Sequence, residues 1–400
     1  MNKPFVIAPT YLQQSCAVGQ IERHFFSGLS DIGYNPIIIS AQNNISPTVF
    51  NHSIIELKEN PIWGKLDLAL HRFALRDLTH CPDFHYYSLR KRILRIGQEL
   101  AKSGQIDYIH TINNPVSSHV LGLELKKITG LPLVVQLFDP WHNNPFRAYK
   151  HQFFDKIDEK WETEIANSAD IIIFPNEELL LSWESKYGLS IADKTYVLPF
   201  CTELPIIKDI KYTSEKIVIS HIGTLSKERN SSHFLRALER FNTKYPNLSD
   251  KLLINFVGSA TKEEVNLAHS LNLDNQINFV GRISEAECAY YYEHSDIFLI
   301  IDIDCTPNLF YPSKLLKYFC YRKPIIGLTK DDSVVFHELS KTGNFPVQYE
   351  DESAIVDILF KAVSCYESIN KNDKEYGNRF SVRSVCSQFN TLICNFNNGL

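Results

Sequence analysis

Short apolar runs rich in β-branched residues alternate with longer amphipathic segments along the whole chain. The short runs predict buried strands, and the amphipathic segments between them, which include residues 21–32, 87–102 and 153–168, predict helices. Such alternation is typical of α/β layers built on parallel sheets. The predicted strands are PFVIAP, NPIIIS, YIHTI, LPLVVQLF, DIIIFP and TYVLPF in the first half, and KIVISHIG, LLINFVG, QINFVG, DIFLIID and KPIIGL in the second.

The two series of strands predict two domains. A chain of 400 residues is longer than one hydrophobic core usually serves, so two doubly wound domains are favoured over one large sheet. The polar, proline-bearing segment at residues 203–215 is the predicted linker. We expect an N-terminal Rossmann-like domain at residues 1–203, a C-terminal Rossmann-like domain at residues 204–374, and a helix at residues 375–400 that packs back on the N-terminal domain.

Residues 57–92 interrupt the alternation of strands and helices, which indicates an insertion after the second predicted strand. One interpretation is a solvated helical excursion that covers the edge of the sheet. The other is a surface that contacts anionic lipid or a lipid-linked acceptor. Both rest on aromatic and basic residues mixed among apolar positions, namely Trp63, His71, Arg72, Phe73, Arg76, Arg90, Lys91 and Arg92.

The composition is that of an ordinary globular protein, with 44% hydrophobic and 22% charged residues. The net charge of -5 gives no global attraction to nucleic acid, so anion binding has to come from local lysines, arginines and helix N-termini. Nine cysteines without a CxxC pair or zinc spacing indicate reduced thiols. The first residues lack the apolar core of a signal peptide, and no apolar run is long enough to span a bilayer. We expect a cytoplasmic protein whose membrane contact, if it has any, is peripheral at the inner surface.

Glycine turns at three predicted strand ends are the strongest chemical signal. The segment HIGTLSKERN at residues 221–230 follows a strand and opens a helix, where backbone N–H groups and the helix dipole can face an anion and Arg229 adds a full charge. An ordinary strand-to-helix turn is the alternative. Gly258 and Gly281 end two more strands, and Arg282 follows. Because ligands of open α/β sheets bind at the carboxyl ends of strands, the recurrence favours one site.

Lys314 lies in the first turn of a predicted helix that begins near Pro312 and Ser313. A cation at that end is unfavourable for the helix dipole unless an anion compensates it. A binding role for Lys314 is therefore favoured over a packing role.

Together these segments resemble the donor-binding domain of the retaining glycosyltransferases called family 4, which have the GT-B fold. The resemblance implies two Rossmann-like domains facing each other across a cleft, with a C-terminal helix crossing back to the N-terminal domain. Members share G-x-L-x-x-x-K/R-G/N, a strand-glycine turn, F-x-G-R and a segment ending G-K-P-I-I, and the branch for O-antigen or capsule donors often adds P-S-K-L-x-E-Y. The matching residues are Gly223, Thr224, Leu225 and Arg229, then Gly258, then Phe279, Gly281 and Arg282, then Lys323, Pro324, Ile325 and Ile326, and finally Pro312, Ser313, Lys314, Leu315 and Tyr318.

The resemblance implies that Arg229 and Lys314 clamp the donor pyrophosphate and stabilise the departing nucleotide diphosphate, while the turns at Gly258 and Arg282 hold the base. It implies no cofactor and no metal, with Asp302 and Asp304 as the nearest alternative for a metal site. The expected donor-binding set is Gly19, Gly223, Thr224, Arg229, Gly258, Arg282, Ile283, Tyr311, Pro312, Ser313, Lys314 and Lys317.

The chain departs from the family at both glutamates of the E-x7-E motif, which become Leu309 and Lys317. The second glutamate of the family usually binds the ribose hydroxyls, and an ammonium group cannot accept those hydrogen bonds. Three explanations remain open: another residue serves the ribose, the donor is held differently, or the donor site has decayed.

In the N-terminal half the resemblance is looser. Gly19 lies where the family's first glycine-rich turn faces the cleft, and Phe138 takes the place of the family's strand-end histidine. Asp139 is expected to contact a substrate hydroxyl, with a helix cap as the alternative. His110 is more typical of a structural histidine, although it ends a predicted strand on the same side. The expected catalytic residues are Asp139, His142, Arg229 and Lys314, and the expected acceptor-side residues are His110, Asp139 and Trp141.

The sequence therefore predicts a hexosyltransferase-type enzyme that moves a sugar from a nucleotide diphosphate sugar to a hydroxyl of a glycan or lipid-linked saccharide, with retention implied by the resemblance. Such a reaction would belong to surface polysaccharide biosynthesis. One alternative is a non-catalytic pseudo-glycosyltransferase that acts as a partner or glycan-binding subunit. The other is a nucleotide-sugar epimerase or phosphorylase of the same fold.

Overall fold

In the computed structural model, residues 1–13, 17–41, 50–58, 62, 65, 84–113, 115–142, 144, 152–206, 216–366 and 374–399 are described. The chain divides into two compact units. The first joins Met1–Glu203 to Ser381–Leu400, and the second is Leu204–Phe380. Of the insertion, Trp63, His71, Arg72, Phe73 and Arg76 lie outside the described residues, as does most of the predicted linker.

The first unit is a parallel sheet of seven strands with the order β3-β2-β1-β4-β5-β6-β7. Its strands are β1 Pro4–Ile7, β2 Ile37–Ala41, β3 Ser53–Leu57, β4 Tyr108–Ile112, β5 Leu133–Gln136, β6 Ile171–Phe174 and β7 Thr195–Val197. Its helices are α1 Ala17–Asp31, α2 Phe84–Lys102, α3 Ser117–Thr129, α4 Gln152–Ser168, α5 Glu177–Tyr187 and, after the second unit, α14 Val382–Asn397, with a 3-10 helix at Leu189–Lys194.

The second unit is a parallel sheet of six strands with the order β10-β9-β8-β11-β12-β13. Its strands are β8 Ile217–Ile222, β9 Leu252–Val257, β10 Ile277–Gly281, β11 Ile297–Ile301, β12 Ile325–Thr329 and β13 Phe345–Gln348. Its helices are α6 Ser232–Lys244, α7 Pro246–Ser249, α8 Lys262–Ser270, α9 Glu285–His294, α10 Ser313–Tyr321, α11 Val334–Lys341, α12 Glu352–Cys365 and α13 Lys374–Asn378. Both strand orders are those of doubly wound α/β folds, in which the order reverses beside the first strand.

The predicted strands all form, and the sheets contain two strands that the apolar pattern did not predict. Strand β3 is largely half-exposed, and β13 contains Pro346. Both are edge strands, which bury less surface than central strands and tolerate a proline on their free side. The central strands β5, β6, β11 and β12 are buried throughout, so their apolar runs are continuous.

Helix starts follow local capping chemistry. Thr261 and Glu264 form a reciprocal capping box at α8, and Ser284 and Glu287 form another at α9. At α14 the Ser381 side chain accepts the Ser384 N–H. Within the described residues, no helix is long and apolar enough to cross a membrane.

The C-terminal helix α14 packs on α1 of the first unit. Its Phe389 ring stacks on the His110 ring with the centroids 5.5 Å apart, and Tyr34 donates a hydrogen bond to Asn390 at 3.0 Å. The returning segment begins at Ser381, whereas the short helix α13 stays with the second unit.

Close packing of α1 against α14 requires a glycine at position 28. A Cβ atom on Gly28 would lie 2.2 Å from a methyl carbon of Val382 and 2.8 Å from the Cys386 sulfur. We expect Gly28→Ala to lower the free energy of unfolding by about 1 to 3 kcal/mol, because overpacking outweighs the gain in helix propensity of about 1 kcal/mol. Urea unfolding measures the loss. Val382→Ala together with Cys386→Ala removes both clashing groups, so the cost of Gly28→Ala should largely disappear in that background. Full stability of Gly28→Ala alone would contradict the packing argument.

Candidate functional site

The strand order of the second sheet reverses between β8 and β11, and the two strands part there. Strand β8 keeps register with β9 to its end at Ile222, but its register with β11 covers only Ile219 and Ser220. Beyond that point the backbone groups of β8 and β11 are bridged by side chains. Tyr318 of α10 accepts the Ile222 N–H at 2.9 Å and donates to the Leu299 carbonyl at 3.3 Å. A crevice at the carboxyl ends of the strands is where open α/β sheets bind ligands.

Three glycine turns lie side by side at this edge. The Gly223 N–H donates to the Val257 carbonyl at 2.7 Å, and the Gly258 N–H donates to the Gly281 carbonyl at 2.9 Å. All three glycines have positive φ angles, of 153°, 136° and 79° in chain order. A Cβ atom on Gly258 would lie 2.4 Å from the Gly223 carbonyl oxygen. Only glycine lets these backbones approach so closely, which leaves room for a ligand against the main chain.

Lys314 extends from the first turn of α10 to the Gly223 turn. Its Nζ lies 3.1 Å from His221 Nε2, and a Cβ atom on Gly223 would lie 2.8 Å from the same Nζ. Burial lowers the pKa of Lys314 well below its usual range, the charge of Arg229 lowers it further, and Asp302 partly offsets both. The lysine is therefore held close to another cation in a partly desolvated place.

Arg229 closes a tight turn in which it exchanges backbone hydrogen bonds with Ser226, both 3.1 Å long. Tyr349 fixes the next residue, because its hydroxyl accepts the Asn230 N–H at 2.7 Å and donates to the Asn230 carbonyl. The Arg229 Nε is buried and has no hydrogen-bond partner among the described residues. Such a buried donor is costly unless a ligand satisfies it.

Asp302 and Asp304, the alternative metal ligands, have different partners. Asp302 is buried and accepts hydrogen bonds from Asn308 and Thr329, both at 2.8 Å, whereas Asp304 pairs with Lys330 at 2.8 Å. Burial raises the pKa of Asp302 to about 6. Among the described residues there is no group of three or more metal-ligating side chains. The two carboxylates are thus engaged by different partners within the protein.

The remaining donor-side residues divide into two groups. Thr224 and Arg282 are exposed beside the glycine turns, Ile283 and Ser313 are half-buried, and Pro312 is the buried residue before α10. Tyr311 is buried, and its hydroxyl donates a hydrogen bond to Glu338 at 3.3 Å. The Tyr311 hydroxyl is thus engaged by a partner within the protein.

Lys317, the residue at the position of the family's glutamate, pairs with a carboxylate. Its Nζ lies 2.6 Å from Glu285 Oε1 in the first turn of α9, and it also lies 5.8 Å from the centre of the Tyr292 ring. The Glu285 side chain is 54% exposed.

In the first unit, Gly19 serves close packing in the first turn of α1. A Cβ atom there would lie 2.5 Å from the Thr10 carbonyl oxygen. The loop after β1 is drawn onto α1 by Arg23, which donates to the Tyr11 and Gln13 carbonyls at 2.5 and 3.2 Å. The position of Gly19 gives a packing reason for this glycine.

Two of the expected acceptor-side residues are core residues instead. His110 lies inside β4, fully buried between aromatic rings of α1 and α14, and burial lowers its pKa to about 4. Trp141 is 1% exposed and packs on the His119 ring with the centroids 5.8 Å apart. Neither side chain is accessible to an acceptor, because both fill space beneath the strand ends.

His142 is held between two helices. Its Nε2 lies 3.3 Å from Asp155 of α4, its Nδ1 lies 3.2 Å from Lys186 of α5, and its N–H donates to Glu162 at 2.8 Å. These contacts give His142 a structural role that the sequence did not indicate. Asp139 is half-buried in the same loop.

Two further residues with important contacts were not predicted from the sequence. Asn113 at the end of β4 accepts the Phe138 N–H at 2.5 Å and donates to the Asp139 carbonyl at 3.1 Å. His221 is the other, and its only sequence signal was its place two residues before a strand-end glycine. Both act through contacts with residues far along the chain, which a motif does not display.

Comparison with known proteins agrees with this geometry. Residues 205–326 match the family described as glycosyl transferases group 1. No curated protein matches the chain.

Solved structures similar to the chain match along its whole length but at low identity. A sucrose-phosphate synthase from Thermosynechococcus elongatus has a TM-score of 0.75 at 14% identity and covers 100% of both chains. HepE from Anabaena in complex with UDP-glucose has a TM-score of 0.66 at 14% identity, covering 98% of this chain and 99% of its own. The lipopolysaccharide outer core galactosyltransferase WaaB has a TM-score of 0.61 at 13% identity, with 99% of each chain covered. The second unit therefore resembles the group 1 glycosyltransferases over residues 205–326, and the chain has the GT-B fold of the solved structures that it matches.

Proposed function

We propose that the protein transfers a hexosyl group from a nucleotide diphosphate sugar to a hydroxyl of a glycan or lipid-linked saccharide, with retention of configuration. The observation that carries the proposal is the pair of cations at the parted strands. Lys314 lies against the Gly223 turn, the charge of Arg229 acts on it, and the oxygens of the nearby Asp302 accept hydrogen bonds from Asn308, Thr329 and the Ile303 N–H. A diphosphate supplies the negative charge that such a site lacks.

In the proposed reaction the bond between the anomeric carbon and the diphosphate oxygen breaks, and a bond from the anomeric carbon to the acceptor oxygen forms. The acceptor hydroxyl loses its proton, and the nucleotide diphosphate leaves. Negative charge grows on the leaving group in the transition state, where Lys314 and Arg229 are already placed. Preorganised charges of this kind contribute several kcal/mol, on the order of 3 kcal/mol for each donor. They supply the stabilisation that a divalent cation gives in other sites, so we propose a metal-independent reaction.

For the ribose we favour Glu285 among the explanations left open by the sequence. Lys317 has only donors, whereas the exposed carboxylate that pairs with it is a hydrogen-bond acceptor. The base would then lie near Gly258, Arg282 and Ile283, at the adjacent turns. This arrangement keeps a functional donor site although both glutamates of the motif are replaced.

The acceptor side is proposed by resemblance and by position. Asp139 is a half-buried carboxylate at the carboxyl end of β5, where a substrate hydroxyl is expected. HepE in complex with UDP-glucose and the galactosyltransferase WaaB are the similar structures whose names favour a UDP-hexose donor and a glycan acceptor. A role in surface polysaccharide biosynthesis at the cytoplasmic face of the membrane follows as part of the proposal.

The replaced glutamates favour a second candidate, a non-catalytic subunit that still binds a nucleotide or a glycan. One measurement distinguishes this second candidate from the first. An enzyme hydrolyses or transfers the sugar of its donor slowly even without its natural acceptor, whereas a binding subunit leaves the donor intact.

Removing either cation should weaken binding of a nucleotide diphosphate. We expect Lys314→Met and Arg229→Met each to raise the Kd for UDP, GDP or dTDP by about tenfold or more, since a hydrogen bond to a charged group is worth about 1.5 to 3 kcal/mol. Calorimetry in a chelating buffer measures the Kd and tests metal independence at once. Lys330→Met is the matched control, because Lys330 already pairs with Asp304. Equal binding by all variants would exclude the proposed diphosphate site, and a strict requirement for added metal would exclude the metal-free mechanism.

Gly223→Ala should weaken the same binding through Lys314. The added Cβ would lie 2.8 Å from Nζ, so the lysine has to leave its place. Gly343→Ala is the control, since Gly343 is also in the left-handed region, with φ 67°, but has no atom within 4 Å of the added Cβ. Each variant carries backbone strain, of about 1 to 3 kcal/mol, which lowers its stability with and without ligand alike. Thermal shifts with and without diphosphate separate the effects: equal ligand stabilisation in the two variants would contradict the role of the Gly223 turn.

Diphosphate binding should take up protons and weaken as the pH rises. The pKa of Lys314 lies below its usual range because of burial and the charge of Arg229, and a bound anion raises it. Affinity is thus full below the depressed pKa and falls as the pH rises through it. His221 and Asp302 also face this lysine, so Lys314→Arg serves to identify the titrating group. Arginine stays protonated, so the affinity of this variant for diphosphate should not fall at alkaline pH. Calorimetry of the wild type in buffers of different ionisation enthalpy measures the proton uptake on binding, and the absence of uptake would contradict the prediction.

A further inference from the structure

His221 occupies the gap between the parted strands β8 and β11. It is fully buried, and its two ring nitrogens have different partners. Nδ1 lies 3.1 Å from the Leu299 carbonyl of β11, and Nε2 lies 3.1 Å from Lys314 Nζ of α10. The side chain thus connects the sheet to the lysine of the proposed diphosphate site.

We propose that His221 is the positioning residue for Lys314, a neutral hydrogen-bond acceptor that aims the lysine at the diphosphate of the donor. The inference rests on the proposed function. It assigns a role to a residue outside the motifs that carry the resemblance.

The partners of the ring fix its tautomer. A carbonyl oxygen only accepts, so the proton of the imidazole has to be on Nδ1, and Nε2 is left with a lone pair. An ammonium group only donates, so Lys314 fills that lone pair. The contact is therefore directional, and the bond to the Leu299 carbonyl sets the direction.

The neutral ring suits an anion site better than a carboxylate would. Arg229 repels Lys314, so the lysine needs a partner to stay in the crevice. A carboxylate would hold it but would cancel its charge, as Glu285 does for Lys317 and Asp304 does for Lys330. In the part of the chain that the structure describes, no carboxylate forms an ion pair with Lys314. Imidazole holds the lysine and leaves its full charge for the ligand.

The ring also cannot gain a proton easily. Burial lowers the pKa of His221 well below its usual range, and the charges of Lys314 and Arg229 lower it further, against the opposing effect of the Leu299 carbonyl. The acceptor lone pair on Nε2 is thus available throughout the neutral range.

Two substitutions separate the functions of the two nitrogens. In His221→Asn the side-chain amide can still donate to the Leu299 carbonyl but does not reach Lys314. In His221→Gln the longer side chain can present its carbonyl oxygen to Lys314. His269→Gln is the surface control, since its side chain is 80% exposed and pairs with Asp274. Circular dichroism and thermal unfolding check that each variant folds.

The readout is the Kd for UDP, GDP and dTDP by calorimetry, in the wild-type and the Lys314→Met backgrounds. We expect His221→Asn to weaken binding by about tenfold, as for the loss of one hydrogen bond to a charged group. His221→Gln should stay within about threefold of the wild type. In the Lys314→Met background, His221→Asn should change the Kd less than about twofold, because a residue that acts through the lysine has no effect without it.

The outcomes distinguish the inference from the function on which it rests. If the wild type binds none of the diphosphates, the proposed function fails and the inference fails with it. If the wild type binds but His221→Asn binds equally well, only the inference fails. It also fails if His221→Asn weakens binding as much in the Lys314→Met background, since the effect would then come from general loss of structure. If His221→Asn does not fold, the test rests on His221→Gln. A Kd of His221→Gln far above that of the wild type would contradict the inference.

Discussion

Strands β8 and β11 share register over only two residue pairs, and the backbone groups beyond them need other partners because they are buried. His221 and Tyr318 provide them by bridging to the Leu299 carbonyl. The order of the sheet imposes this parting, since the connections from β8 and from β11 leave toward opposite sides. The crevice, the lysine in it and the glycine turns along it all depend on these two side chains.

The residues around this crevice explain why the positive charge of Lys314 and Arg229 is not cancelled by nearby carboxylates. The buried carboxylate of Asp302 accepts hydrogen bonds from Asn308, Thr329 and the Ile303 N–H, and these bonds fix the loop after β11. Asp304 forms an ion pair with Lys330. Both carboxylates therefore have partners other than Lys314 and Arg229, and the charge of the two cations favours an anionic ligand.

In the first unit, by contrast, polar side chains near the strand ends are engaged in hydrogen bonds within the protein. Asn113 holds the loop after β5, and Glu162 accepts hydrogen bonds from the His142 N–H, Lys186 and Tyr187. The stack of His110 on Phe389 ties α14 to the sheet. The histidines that the sequence suggested as site residues are thus core residues or residues that connect two helices. A buried imidazole is a poor acid or base, but it can pack against other rings and form hydrogen bonds within the protein.

The sequence by itself determined the fold class, the central strands and the order of the glycine turns, because continuous apolar runs and strand-end glycines are local signals with one physical cause each. It also indicated Arg229 and Lys314, since a cation in the first turn of a helix is out of place without an anion. The edge strands β3 and β13 escaped it because a half-exposed strand has no continuous apolar run. Only the tertiary structure decided the partners: Glu285 for Lys317, Glu338 for Tyr311 and His221 for Lys314 lie 27 to 93 positions apart in the chain. Spacing along a sequence carries no information about such pairs, and the chemistry of a charged group depends on the partner it meets.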